Sequence, residues 1–365
     1  MIKLLVVDDS ALLRKLLGEV FTQAGDFELR FARDGLEALE QNRAFAPDVI
    51  TLDLNMPRLD GLACLDQLMV ERPCPVVMVS SHTEAGAEAT LKGLQLGAVD
   101  FVPKPAGAVS LHLREWAPAL VEAVRGAARA RVRPSLRLRE RVRHRIGRAA
   151  ASPRPDLVPA AATGAAHFPS EAPLPGEGLV LVGTSTGGPP ALEALLVPLP
   201  ADFPWPILVA QHMPGSFTGP LARRLDALCA LTVVEVRRPV PLQPGTVYIG
   251  AGDADLIVSR RAGGLVAMAA PAQATYLWHP STDRLVRSAL EHLPPRQLVG
   301  VLMTGMGNDG AQAMATLRAQ GGHTIAEAEE TAIVWGMPGE LVKAGGAEFV
   351  EPLPDIAARL EKMVP

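Results

Sequence analysis

The sequence predicts an α/β protein made of two doubly wound domains in series. Three observations carry this. Short β-branched runs alternate with helix-period segments through residues 1–105, and the alternation resumes from Gly178. Between the halves the composition turns to Arg, Ala and Pro. The length, 365 residues, lets each half bury a core of its own.

In the first half "IKLLVV", "FELRFA", "DVITLDL", "PVVMVS" and "AVDFV" read as strands. "ALLRKLLGEVFTQAG", "GLEALEQNR", "GLACLDQLM" and "TEAGAEATLKGLQLGA" are the helices between them, and a last helix covers about 109–128. Five βα units predict a parallel sheet over a domain of residues 1–128. Residues 129–176 form the linker, in which Arg137, Arg139, Arg141, Arg143 and Arg145 alternate with other residues. Like charges this dense favour a solvated, extended segment.

The second domain, 177–365, has strands at "LVLVG", "PILVAQ", "LTVVEV", "TVYIGA", "DLIVS", "LVAMAA", "QLVGVLM", "HTIAEA" and "AEFVEP". Its helices are "PALEALLVPL", "SFTGPLARRLDAL", "TDRLVRSALEHL", "DGAQAMATLRAQG" and "MPGELVKAG". Residues 231–270 string strands together without a helix. That predicts a hairpin or antiparallel section in a mostly parallel domain.

Composition narrows the function. Hydrophobic residues make up 48% and charged residues 20%, as in a soluble globular protein. A net charge of −4, 4% aromatics and no helix-turn-helix signal argue against a nucleic-acid partner. Cys64, Cys74 and Cys229 are odd in number and have no metal spacing, so reduced packing thiols are expected. The N-terminus has no signal-peptide pattern, and no apolar run is long enough for membrane insertion. A cytoplasmic protein is the expectation.

Two constellations carry chemistry. Asp8 and Asp9 close the first strand, Asp53 the third and Ser80 the fourth, and Lys104 follows the fifth. Strand C-termini of a parallel sheet share one edge. Three carboxylates there repel unless a cation joins them, and oxygen ligands suit Mg²⁺. Lys104 adds a positive charge and Ser80 a hydroxyl. The set suits a phosphoryl group on Asp53, with its carboxylate as nucleophile. Singly, Asp9 or Ser10 could merely cap a helix, and Lys104 could merely sit in a turn.

"VVDDS", "LDLNMPRLDG", "MVSS" and "DFVPKP" resemble the receiver domain of bacterial response regulators over about 1–125. The resemblance implies Asp53 as phosphoacceptor, Asp8, Asp9 and Asp53 around Mg²⁺, and Ser80, Phe101 and Lys104 as switch residues.

The second constellation centres on "GLVLVGTSTGGPPALEALL". Its G-x-S-x-G pattern would expose Ser185 on a tight strand-to-helix turn, beside amides that can stabilise an oxyanion. Ser185 or Thr186 could equally cap the helix, or the loop could hold a phosphate in a non-catalytic output. A nucleophile needs a base. His212 follows a strand on the same edge, and His279 is its rival; His292 ends a helix and His323 begins a strand on the far edge. Asp309 follows another strand, with Asp253, Asp255 and Asp283 as alternatives for the orienting acid.

"GTSTGG", "VAQHMP", "PSTDRL", "MTGMGNDG" and "VWGMPGE" resemble the chemotaxis methylesterases, the CheB family, over about 178–363. The resemblance implies Ser185 as nucleophile, His212 as base and Asp309 as orienting acid. Thr186, Gly187 and the backbone of Met306 would serve the tetrahedral intermediate. It also implies hydrolysis of glutamate methyl esters and deamidation of glutamines, without a cofactor at the esterase site. The implied partners are chemoreceptor cytoplasmic domains as substrate and a chemotaxis histidine kinase as phosphodonor. The receiver is expected to pack across the catalytic mouth until phosphorylated. The chain departs from the pattern at Asn55, where glutamate is usual, at Val286 and at Glu340.

Overall fold

The computed structural model of the chain describes residues 1–80, 83–105, 109–130 and 178–364. The arginine run of the expected linker lies outside the described residues.

The first sheet contains β1 (Ile2–Val7), β2 (Phe27–Ala32), β3 (Val49–Asp53), β4 (Val76–Ser80) and β5 (Asp100–Pro103). Their order is β2-β1-β3-β4-β5, and every pairing is parallel. β3 and β4 are buried along their whole length, as continuous apolar strands require when helices cover both faces. The helices are α1 (Ala11–Ala24), α2 (Gly35–Phe45), α3 (Gly61–Glu71), α4 (Glu84–Leu96) and α5 (Val109–Ala128). Side chains of Ser10, Asp34, Asp60 and Thr83 accept amide hydrogens at the starts of the first four. Strand order reverses between β1 and β3, so Asp8 and Asp53 face the crevice at that switch point.

The second sheet has seven strands: β6 (Leu179–Thr184), β7 (Ile207–Gln211), β8 (Thr232–Val236), β10 (Thr246–Gly250), β13 (Leu298–Leu302), β14 (His323–Glu327) and β15 (Phe349–Glu351). It runs β15-β14-β13-β6-β7-β10-β8 and is parallel throughout. The antiparallel section is a separate three-stranded sheet, β11-β12-β9, built from β9 (Val240–Pro241), β11 (Ala254–Arg261) and β12 (Gly264–Pro271). Thus β8 and β10, though joined without a helix, still pair in parallel. The helices are α6 (Gly188–Leu196), α7 (Gly215–Leu228), α8 (Thr282–Leu290), α9 (Ala311–Ala319), α10 (Met337–Lys343) and α11 (Leu353–Met363). α11 is not among the helices expected above. The sheet's switch point lies between β6 and β13.

The two sheets are joined by apolar packing. Leu91 and Leu94 of α4 belong to the same buried cluster as Leu195 of α6 and Phe217 and Leu221 of α7. The rings of Phe101 in β5 and Phe217 lie 4.3 Å apart. At the rim, Gln95 donates to Glu193 at 2.8 Å. All three cysteines are free, and burial pushes the thiols of Cys64 and Cys74 up to about 12, as packing residues.

Candidate active site and phosphoacceptor site

β6 ends at Thr184, and the chain turns sharply into α6 with Gly187 in the left-handed region at φ 77°. Ser185 sits on that turn, half-buried. Its N–H donates to Thr304 O at 3.0 Å, and its carbonyl accepts from Gln211 Nε2 at 3.0 Å. Ser185 caps nothing: the α6 N-cap is Gly187, without a side-chain bond. The Thr304 hydroxyl donates to Thr186 O at 2.9 Å, and the Thr184 hydroxyl donates to Thr304 O at 3.0 Å. These bonds lock the serine turn to the loop after β13. Gly305 makes the approach possible, because a Cβ there would stand 2.7 Å from Ser185 Cβ.

His212 follows β7 on the same edge. Its Nε2 lies 2.8 Å from Asp309 Oδ2. Asp309 also accepts from Ser281 Oγ at 2.9 Å and from the N–H groups of Thr282 and Asp283 at the start of α8. A helix N-terminus favours an anion. Burial alone would raise this carboxyl, but the hydrogen bond and charge of His212 and the two amides outweigh it and hold Asp309 below the ordinary value. An ionised Asp309 selects the tautomer with hydrogen on Nε2, which leaves a lone pair on Nδ1. Nδ1 is buried and has no hydrogen-bond partner among the described residues. Trp278 lies parallel to the imidazole, with ring centroids 5.9 Å apart.

The structure separates the alternatives. His279 Nδ1 pairs with Asp255 at 2.8 Å, and Asp255 also takes Arg284 at 2.6 Å. Asp283 accepts from Ala313 N at 2.9 Å and so serves the start of α9. His323 pairs with Glu348 at the start of β14.

At the other site, single carboxylate oxygens of Asp8, Asp9 and Asp53 lie within 4.8 Å of one another. Such hard oxygen donors fit a divalent cation. Lys104 Nζ is 3.1 Å from Asp8 Oδ2 and 2.9 Å from Asp53 Oδ2. Burial and the neighbouring Asp8 raise the Asp53 carboxyl against the pull of Lys104. Burial opposes the charge on Lys104, but both carboxylates overcome it and hold the ammonium protonated. The Ser80 hydroxyl is buried without a partner among the described residues.

Between the sites stands a feature that periodicity cannot reveal. Thr186 Oγ1 donates to Asp100 Oδ2, in β5 of the first domain, at 2.5 Å. Burial pushes the Asp100 carboxyl up to about 6, against the hydrogen bonds from Thr186 and Phe101 N. The Met306 side chain packs against Gly126 of α5, where a Cβ would displace its thioether. Thr186 and Met306 are therefore covered by the first domain. Gln211, Thr304 and Glu327 also escape sequence reasoning, since each acts through backbone groups. Glu327 accepts the Thr304 N–H at 2.8 Å.

The family model described as CheB methylesterase matches residues 180–360, and that described as response regulator receiver domain matches residues 4–114. Protein-glutamate methylesterase/protein-glutamine glutaminase 2 of Rhodopseudomonas palustris is 59% identical over 358 residues, 98% of this chain and 97% of that protein. Protein-glutamate methylesterase/protein-glutamine glutaminase 3 of Rhodospirillum rubrum is 51% identical over 368 residues, 99% of this chain and 95% of that protein. The solved catalytic domain of Thermotoga maritima CheB methylesterase is 36% identical and covers 51% of this chain and 97% of that one, with a TM-score of 0.49. Identity this high, sustained across both halves, makes the chain a member of the CheB methylesterase family with a response regulator receiver domain ahead of the esterase domain.

Proposed function

We propose that the chain is a phosphorylation-activated protein-glutamate methylesterase and protein-glutamine glutaminase acting on the cytoplasmic domains of chemoreceptors. The observation that carries the esterase reading is the His212–Asp309 pair, with a buried Nδ1 that has no partner among the described residues, on the sheet edge that also bears Ser185. Ser185 Oγ attacks the ester carbonyl while His212 Nδ1 takes its proton, and Asp309 holds the Nε2–H. The oxyanion is met by amides around Gly187 and the loop at Met306, with Thr186 beside it. Methanol leaves with the proton from His212, and water then hydrolyses the acyl-enzyme by the same steps. With glutamine, ammonia is the leaving group.

In the receiver, Asp53 accepts a phosphoryl group from a chemotaxis histidine kinase. Asp8, Asp9 and Asp53 would hold Mg²⁺, which supplies positive charge for the transferred group. Lys104 and Ser80 offer a cation and a hydroxyl donor to its oxygens. Among the described residues no helix is long and apolar enough to cross a membrane, in keeping with a cytoplasmic enzyme.

The test is Ser185→Ala. It should keep the fold and lose nearly all esterase activity, read as methanol released from methylated receptor membranes. Retention of more than about a tenth of the rate would remove the nucleophile assignment. His212→Ala should match it; His279→Ala should not.

A further inference from the structure

We propose that Trp278 is a positioning residue for His212: its indole face fixes the imidazole plane and stabilises the cation that the ring becomes on taking the Ser185 proton. The proposal rests on the reading of Ser185 and His212 as nucleophile and base. The two rings are parallel to within 5°, with centroids 5.9 Å apart. That is the geometry of an offset stack, at the range where a cation still feels an aromatic face. The indole also rests against the loop that bears Met306. A Cβ on Gly307 would come within 2.7 Å of it, so the glycine, at φ 81°, lets the ring approach that loop.

The imidazole of His212, buried at 7% exposure, has one hydrogen-bond partner among the described residues. One nitrogen is fixed by Asp309, which leaves rotation about that hydrogen bond open, and Nδ1 has no partner among the described residues. A ring so held needs a flat neighbour to aim its lone pair.

Asp309 touches the imidazole directly, and Asp283 of α8 stands behind Asp309. Asp253 lies beside Gly215 at the start of α7, and Asp255 is already engaged by His279 and Arg284. The indole is parallel to the imidazole while Asp309 meets it at Nε2, so the two act on the ring from different directions.

The test compares Trp278→Leu and Trp278→Phe in the full chain, with 4-nitrophenyl acetate as the ester and a small-molecule phosphodonor present. Trp278→Leu should lower kcat about fivefold with KM little changed. The acidic limb of the kcat/KM profile should move to lower pH, because the cation loses its aromatic face. Trp278→Phe should restore most of both. The imidazole proton resonances of His212, read by NMR without substrate, should lose their ring-current displacement in the leucine variant. A leucine variant with wild-type kcat and an unmoved limb would overturn the proposal, as would a loss confined to KM. Failure of the underlying reading is separate: it would show as Ser185→Ala retaining activity on the same ester.

Discussion

Glu327 shows what a single residue can hide. It is wholly enclosed at the end of β14, with one oxygen on Thr304 N and the other without a partner among the described residues. Burial pushes its carboxyl up from 4.5 to about 7, against the hydrogen bond from Thr304 N. Between those two values the folded chain keeps a proton that the unfolded chain releases. Stability from this group therefore falls as pH rises from about 4.5 to about 7 and then levels off. The full loss is at most on the order of 3 kcal/mol. Glu327→Gln should remove that decline, measured by urea unfolding at pH 5 and pH 8. An identical decline in the variant would show that Glu327 does not titrate across this window. In the string "HTIAEAEE" nothing marks Glu327 apart from the other two acids, because its carboxylate is met by Thr304 in the loop after β13, which is distant in sequence. The placing of Asp309 beside His212 was easier to foresee: it lies in the loop that follows the apolar strand β13, on the edge where Ser185 and His212 also emerge.

Among elements, β5 joins the two sites. Within five residues it carries Asp100 on Thr186, Phe101 on Phe217 and, at its end, Lys104 on Asp53. A change at Asp53 need travel only the length of one short strand to reach the Ser185 turn. Asp100→Ala should raise the esterase rate of the unphosphorylated chain severalfold, since it removes a bond made only while the domains touch. A rate equal to wild type would deny Asp100 any part in the closure. The contact should also respond to pH. The carboxyl, pushed up to about 6 when enclosed, returns toward its ordinary 3.8 on exposure, so opening releases a proton. Rising pH between those values favours opening, and above about 6 the effect is complete. The basal rate of wild type relative to Asp100→Asn should rise across that interval, read on the same ester. Elements with a clean period were legible, including all five receiver strands. α11 was not, because Pro352 and Pro354 look like breakers. In fact they occupy the N-cap and first turn, where a missing N–H costs nothing. The separate antiparallel sheet was half legible: runs without helices announce hairpins, but they do not say which strands join the main sheet.

For the whole molecule, the receiver lies over the catalytic mouth with α4, β5 and α5 as its contact face. Sequence pattern alone could not tell this, because the apolar face of α4 would suit any apolar partner. Gly126 packs against the Met306 side chain. Gly126→Leu should prevent the close approach and raise the unphosphorylated rate, while Asp53→Asn should abolish stimulation by phosphodonor. If the leucine variant stays as slow as wild type, the α5 contact does not restrain the enzyme. The seam of Leu91, Leu94, Phe101, Phe217 and Leu221 has a consequence of another kind. Parting the domains wets those side chains, so opening carries a positive heat-capacity change, as unfolding does on a larger scale. The closed-to-open equilibrium must then curve with temperature, and salts excluded from apolar surfaces, such as sulfate, must push it toward closure. The enzyme's resting activity is thereby tied to the state of its solvent as well as to its phosphodonor.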